Sequence, residues 1–412
     1  MEERYIKAVD TYNWVRPAGW LTMPTITSSD NKLAFLFAVY ENQENCFTIS
    51  YPSATIVATA DWGDGTTTTI NSTAIREKRY TYSAISSIVL QDANGVNYKQ
   101  VIITISYTSG TLTTWYICPY STSVGSGYRP GPNQILETII SWDNLVILGT
   151  PISPAFCRPP SLMQNLIIKK MVLTTNGTGG SSGGYFSYLT GLRNIEGISN
   201  INTTLGGGAS NTFINLGSIN KIDFIWNGGT GAGGFSGLFS NSTFRELGTL
   251  TFLGTGGTLA TCFLNCYLLE KVGTINMGTM TLATSMFSGC NKLRSIGTIT
   301  STSNTSITSM FVNCFVLESI VFSAGSCASV TLASAPFTNC WNLKTLKMPG
   351  MAISFSIANC SLQKQAIIDL LNDLANVGTT QNIVLTGNPG LDDLTILEIT
   401  TILTPKNWTY NA

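Results

Sequence analysis

Glu270 and Glu318 each stand four residues after a cysteine, Cys266 and Cys314. Two carboxyl groups facing a cleft about 5–9 Å apart are the equipment of glycoside hydrolysis, so this pair is the first place to look for chemistry. The same offset after Cys290 and Cys340 carries Arg294 and Lys344. Signs therefore alternate along the series, and side chains that align in this order neutralise one another and fix register. The chain has no histidine, which excludes imidazole acid–base catalysis and histidine metal sites but leaves carboxylate and thiolate chemistry open. Asp61 and Asp64 lie in the turn Asp61-Trp62-Gly63-Asp64-Gly65-Thr66. Two carboxylates fall short of the six to eight oxygens that calcium takes. None of the glycine-rich segments has the strand–GxxxxGK[ST]–helix setting of a phosphate loop, so no cofactor is expected.

The elements that would position these residues follow from one repeated signature. Cys266, Cys290, Cys314, Cys340 and Cys360 are spaced 24, 24, 26 and 20 residues apart. Phe263, Phe287, Phe311 and Phe337 stand three residues before the first four, and Ile357 before the fifth. Apolar residues follow three and six positions later, as Leu269/Val272, Leu293/Ile296, Leu317/Ile320 and Leu343/Leu346. A fixed period with one apolar set per period predicts stacked coils, because no single coil can bury its own face. Weaker copies precede these at Phe239 (with Ser242 in the cysteine place), Phe213, Phe186 and around Cys157, Met163 and Leu166. The array is read as 141–360, eight or nine coils and about 40 Å long at one strand spacing per coil. The repeat cysteines are expected to form a reduced, buried ladder, since free Cys packs as a small apolar side chain. Asn265, Asn313, Asn339 and Asn359 precede four of them and predict a buried amide ladder, with a polar binding strip as the alternative.

Gly179, Gly180, Gly206, Gly207, Gly228, Gly229, Gly233 and Gly234 belong to glycine-rich segments that recur in phase with the coils. Insertions collected on one face are candidate binding or subunit-contact loops. Trp226, Phe235 and Trp341 could stack on sugar rings if exposed, whereas core packing is the default for any of them.

Charged residues make up 11% of the 412-residue chain and the formal net charge is zero. Ordinary soluble domains carry about 25%. A basic stripe for nucleic acid and a polybasic membrane patch are both excluded, and the longest clean apolar run, 33–40, is far below the roughly 20 residues of a membrane span. The start Met1-Glu2-Glu3-Arg4 predicts no signal peptide. Residues 1–30 read as an aromatic arm, docking on a partner or completing the next domain. Short β-rich runs follow at 33–40, 46–50, 55–60, 86–91 and 98–106, then a Pro/Gly-rich linker at 109–140.

Residues 31–108 resemble a PKD-type immunoglobulin-like domain. The resemblance rests on Asp61–Thr66, on Arg79-Tyr80-Thr81-Tyr82 as an aromatic strand, and on the Asn94-Gly95 turn before the last strand. The family's usual histidine before the aromatic strand is missing. The array resembles the BspA-type leucine-rich repeat, most clearly in Ser285-Met286-Phe287-Ser288-Gly289-Cys290-Asn291-Lys292-Leu293 and Ser309-Met310-Phe311-Val312-Asn313-Cys314. Residues 361–412 fit a small α/β cap: Ser361 capping a helix through Leu374, a strand at 382–386, a short helix and a last strand near Trp408. The fold expectation is therefore mainly β, an N-terminal immunoglobulin-like β-sandwich followed by a leucine-rich-repeat solenoid and that cap. What the resemblances imply is a non-enzymatic bacteriophage virion protein, a head or tail fibre or capsid decoration, assembled in the host cytoplasm and placed on the virion surface. Its partners would be other virion proteins, further copies of itself, and a host cell-surface glycan or protein, with no nucleic acid and no membrane insertion. A bacterial cell-surface adhesin and a polysaccharide depolymerase using Glu270 and Glu318 are the alternatives.

Overall fold

A computed structural model describes residues 14–50, 57–71, 76–109, 116–117, 134–148, 162–176, 186, 189, 191–198, 201–204, 213–217, 219, 221–226, 234–252 and 256–412. The chain is mainly β with few helices. Its N-terminal strands are β1 (Lys32–Tyr40), β2 (Cys46–Ser50), β3 (Val57–Asp61), β4 (Thr67–Ile70), β5 (Arg76–Arg79), β6 (Leu90–Gln91), β7 (Asn97–Ser109) and β8 (Tyr116–Ile117). Strands β9 (Ile135–Leu148), β10 (Asn165–Asn176), β11 (Asn194–Glu196) and β12 (Ile201–Thr204) follow.

Every residue from Leu33 to Tyr40 is buried, which is why β1 reads as an unbroken apolar run where a half-exposed strand would alternate. Leu33, Phe35, Phe37 and Val39 face the main core, where Phe47 of β2 packs on Phe35 and Phe37 at 5.3 and 5.8 Å. Leu36, Ala38 and Tyr40 face the other way and are covered by Trp20 and its neighbours. Residues 14–26 thus dock on this chain's own sheet. Arg16 Nε donates to the buried Glu137 carboxylate at 2.7 Å, and its other guanidinium nitrogens reach the carbonyls of Trp20 and Leu21.

β9 lies beside β1 antiparallel and beside β10 parallel. One sheet therefore runs β4-β3-β7-β1-β9-β10-β11, from the N-terminal strands into the first coils without interruption. β9 begins at Ile135, inside the stretch read as a linker, and the rest of that stretch lies largely outside the described residues. The expected strand over 86–91 is reduced to Leu90–Gln91, and the aromatic strand expected at 79–82 ends at Arg79, with Tyr82–Ala84 a single 3-10 turn. Tyr80 explains the break: its ring is buried and its hydroxyl donates to the Trp62 carbonyl at 2.8 Å, which pins the chain inward.

The coils form a β-solenoid of about eight turns. Its strands are β13 (Lys221–Trp226), β14 (Glu246–Phe252), β15 (Lys271–Val272), β16 (Ile275–Asn276), β17 (Ser295–Ile296), β18 (Ile299–Thr300), β19 (Ser319–Val321) and β20 (Thr345–Lys347), and the pairs among them are parallel. β14 feeds two ladders, β15-β17-β19-β20 and β16-β18. Glycine at the bend between them is compulsory: a Cβ on Gly273 or Gly297 would come within 2.7 Å of the backbone one coil back. At the centre, Phe186, Phe213, Phe239, Phe263, Phe287, Phe311 and Phe337 form one stack, with successive centroids 5.1–6.1 Å apart and planes within 14°. The stack exists because equivalent residues of neighbouring coils are one strand spacing apart and a flat ring fills that spacing.

The C-terminal segment holds β21 (Phe355–Ser356), α1 (Lys364–Asp373), β22 (Gln381–Val384), α2 (Ile396–Leu403) and β23 (Trp408–Asn411), the three strands pairing in parallel. Ile367, Leu370 and Leu371 are the buried side of α1. Ser361 does not cap it. Its hydroxyl donates instead to the Trp341 carbonyl, and Gln363 occupies the cap position without a side-chain bond. α2 does carry a capping box, Thr395 with Glu398. One hydrophobic cluster extends from Leu33 to Trp408.

Candidate functional site

Each coil turns at its Phe-x-x-Cys segment, and the turn dictates the residue types. Asn265, Gly289, Asn313, Asn339 and Asn359, immediately before the cysteines, all have φ between 57° and 77°. Asparagine and glycine tolerate this left-handed region best, so the Asn row answers first to backbone geometry. It is not buried: Asn265 and Asn359 are exposed and Asn313 and Asn339 half-buried. Some of its amides do link coils, Asn265 Nδ2 donating to Asn241 Oδ1 at 3.3 Å and Asn339 Nδ2 to Asn313 Oδ1 at 2.7 Å.

The cysteines behind this row are buried and free. The thiols of Cys266, Cys290, Cys314 and Cys340 donate to the carbonyls of Phe239, Phe263, Phe287 and Phe311, one coil back, at 3.1–3.3 Å. Ser242 makes the same bond to Phe213 at 3.1 Å, and Asn388 Nδ2 donates to Ile357 at 2.8 Å near the C-terminal end. The position thus supplies a short donor for a buried carbonyl, and that requirement accounts for Cys, Ser and Asn alike. Burial pushes the Cys290, Cys314 and Cys340 thiols well above their ordinary range and Cys360 up to about 12, so nucleophilic use of the ladder is disfavoured.

The charged positions align as expected. Arg294 N donates to Glu270 O, Glu318 N to Arg294 O and Lys344 N to Glu318 O, at 2.9–3.0 Å. Arg245 extends the row by one coil, since Glu270 N donates to its carbonyl at 2.7 Å. The order is therefore Arg245, Glu270, Arg294, Glu318, Lys344. Arg245 Nη1 meets Glu270 Oε1 at 2.6 Å and Lys344 Nζ meets Glu318 Oε2 at 3.7 Å. Both glutamates are thus held by cations, and Arg294 stands between them.

Between the amide and charge rows runs the position that directly follows each cysteine, held by Tyr267, Asn291, Phe315, Trp341 and Ser361. Tyr267 is 49% and Trp341 55% exposed, and Phe315 is half-buried with its ring stacked on Trp341 at 5.0 Å and 18°. Three parallel rows, amide, aromatic and charged, therefore occupy one edge of the solenoid.

Other candidate groups are engaged or lie elsewhere. Phe235 is buried, and nothing is described of the Trp226 side chain. Gly179, Gly180, Gly206, Gly207, Gly228, Gly229 and Gly233 lie outside the described residues. Gly234 is a packing position, where a Cβ would come within 2.1 Å of Thr258 Cγ2. In the Asp61–Thr66 turn the Lys78 ammonium takes the place a metal cation would need, 2.5 Å from Asp64 Oδ2. Burial pushes the Asp64 carboxyl up, but hydrogen bonds from Lys78 and Thr66 outweigh it and leave the group below its usual range. A cavity of about 410 Å³ nearby is lined by Leu21, Asp64, Ser87 and Gln100. Among the described residues no three metal-ligating side chains converge, and no helix is long and apolar enough to cross a membrane. Comparison with protein-family models, curated proteins and solved structures finds no match to this chain.

Proposed function

We propose that this is a structural and binding protein of a bacteriophage virion surface, a fibre or capsid decoration, whose solenoid is displayed for contact with a host glycan or protein. In this reading the N-terminal sheets form an immunoglobulin-like anchor to other virion proteins, the coils are BspA-type leucine-rich repeats, and residues 361–412 close the last coil as an α/β cap. The observation that carries the reading is the coil-to-coil alignment, which repeats one side-chain position many times along a straight edge and so builds a surface suited to recognition. A surface of neutral amides, hydroxyls and rings, with charge at 11% and balanced, suits display among crowded copies.

The proposal includes no catalytic step. Glu270 and Glu318 are each neutralised by a neighbouring cation, which favours a register role over hydrolysis. The test is localisation: antibody labelling and cryo-electron microscopy of purified particles carrying the gene should place the protein on the head or tail. If it stays with the soluble lysate and never sediments with particles, the virion reading fails, and a surface adhesin becomes the better one.

A further inference from the structure

We infer that the aromatic row of the solenoid edge is a carbohydrate-binding platform for a neutral polysaccharide, with Tyr267, Phe315 and Trp341 as the stacking residues. The inference rests on the reading of the solenoid as a binding module and is independent of the virion assignment.

Single exposed aromatics are common on protein surfaces and mean little. Here three occupy the same position of three coils, and two of them are about half exposed although every coil offers a buried place for a ring in its central stack. Phe315 and Trp341 sit on adjacent coils and stack, forming a two-ring ledge. The next coil beyond Trp341 places Ser361 in the row, a small side chain drawn down onto the Trp341 carbonyl. On the other side, one coil separates Phe315 from Tyr267. Its residue, Asn291, has its carboxamide against the carbonyls of Gly289 and Asn313, and turning the amide so that nitrogen faces them gives two hydrogen bonds of 3.0 Å. The row therefore has a ring, a low place, two rings and a second low place. Ring-to-ring steps in the central stack are 5.2 and 5.7 Å per coil, so the low place at Asn291 is one coil wide.

The chemistry beside the low places selects the occupant. The amide row offers neutral donors and acceptors, as in Asn313 and Asn339. Four charges of the charge row pair within it, Glu270 with Arg245 and Glu318 with Lys344, and Arg294 stands over. A ligand here meets aromatic faces and carboxamides beside one uncompensated cation of that row, Arg294. That combination matches sugar rings, whose C–H faces pack on aromatics and whose hydroxyls bond amides. A polyanion would find unpaired cations only at Lys292 and Arg294, on a single coil, so it gains less along the row.

The experiment is native affinity electrophoresis of the full chain in gels containing hydroxyethylcellulose, glucomannan, dextran or laminarin, with polygalacturonate as the charged comparison. Retardation is expected in at least one neutral gel and not in polygalacturonate alone. Trp341→Ala and Tyr267→Ala should each weaken it roughly tenfold, Trp341→Phe should retain most of it, and Leu332→Ala, at an exposed position outside the row, should leave it unchanged. Unchanged circular dichroism shows that the variants are folded. Mobility unaffected by all four neutral polysaccharides, retardation that survives Trp341→Ala, or a changed oligomeric state in that variant would each overturn the inference. None of these outcomes bears on particle localisation, so the two readings fail separately.

Discussion

Phe287 lies fully buried in the middle of the ring stack, between Phe263 at 5.2 Å and Phe311 at 5.7 Å. Phe337 ends the stack, with Phe311 at 6.1 Å on one side and Ile357 at the equivalent place of the next coil. Leucine at either position keeps much of the apolar volume and removes only the ring-on-ring contact. Each aromatic pair contributes about 0.5–1.5 kcal/mol beyond its buried area. Phe287→Leu forfeits two pairs and should cost about 1–3 kcal/mol, whereas Phe337→Leu forfeits one and should cost about half as much. Phe287→Ala adds the cavity and should reach about 3–5 kcal/mol. Urea unfolding followed by far-ultraviolet circular dichroism measures all three. Because a coil contacts only its neighbours, hydrogen exchange on the amides of Phe263 and Phe311 should show the loss locally even if the global transition is broad. Equal costs for the two leucine variants, or a Phe287→Ala cost below about 1 kcal/mol, would refute the idea that the stack is an additive ladder.

Two further outcomes follow from the same geometry. Cys290→Ser should be tolerated within about 1 kcal/mol, since Ser242 already makes the equivalent carbonyl bond, while Cys290→Val removes the donor and overfills the site and should cost about 1–3 kcal/mol by the same unfolding assay. The hydrogen bond from Lys364, then those from Thr395, hold Glu398 at about 2 against an ordinary 4.5. A depressed carboxyl stabilises above its unfolded value and loses that contribution as pH falls from about 4.5 to about 2. The Tm gap between the wild type and Glu398→Gln should therefore be full at pH 7 and closed near pH 2, and a constant gap would refute it.

The solenoid was legible because each coil buries the same few positions, so Phe263, Cys266, Leu269 and Val272 repeat as a set that a single sequence displays. The charge row was legible for the same reason, except at Arg245, where the coil is one residue short and the offset fails. A Gly-Thr pair recurring as Gly248-Thr249, Gly273-Thr274 and Gly297-Thr298 is the signal in the sequence for the bend between the two ladders. The Asn row is visible in the sequence but its cause is not, because a burial pattern cannot reveal a left-handed φ. Trp341 is a visible candidate, but its exposed alignment with Tyr267 and Phe315 depends on which way side chains leave the turn. The route of β9 was out of reach: its neighbours β1 and β10 are fixed by non-local pairing, and its Glu137 carboxylate is satisfied by Arg16 and Asn165, residues 121 and 28 positions away.

Because β9 pairs with both β1 and β10, the N-terminal sheet and the first coils share one strand at that junction. A pull along the stacking direction would act across the strands and along the hydrogen bonds on both sides of β9. Such a seam transmits torque as well as tension, so whatever holds the N-terminal strands would also aim the row of rings.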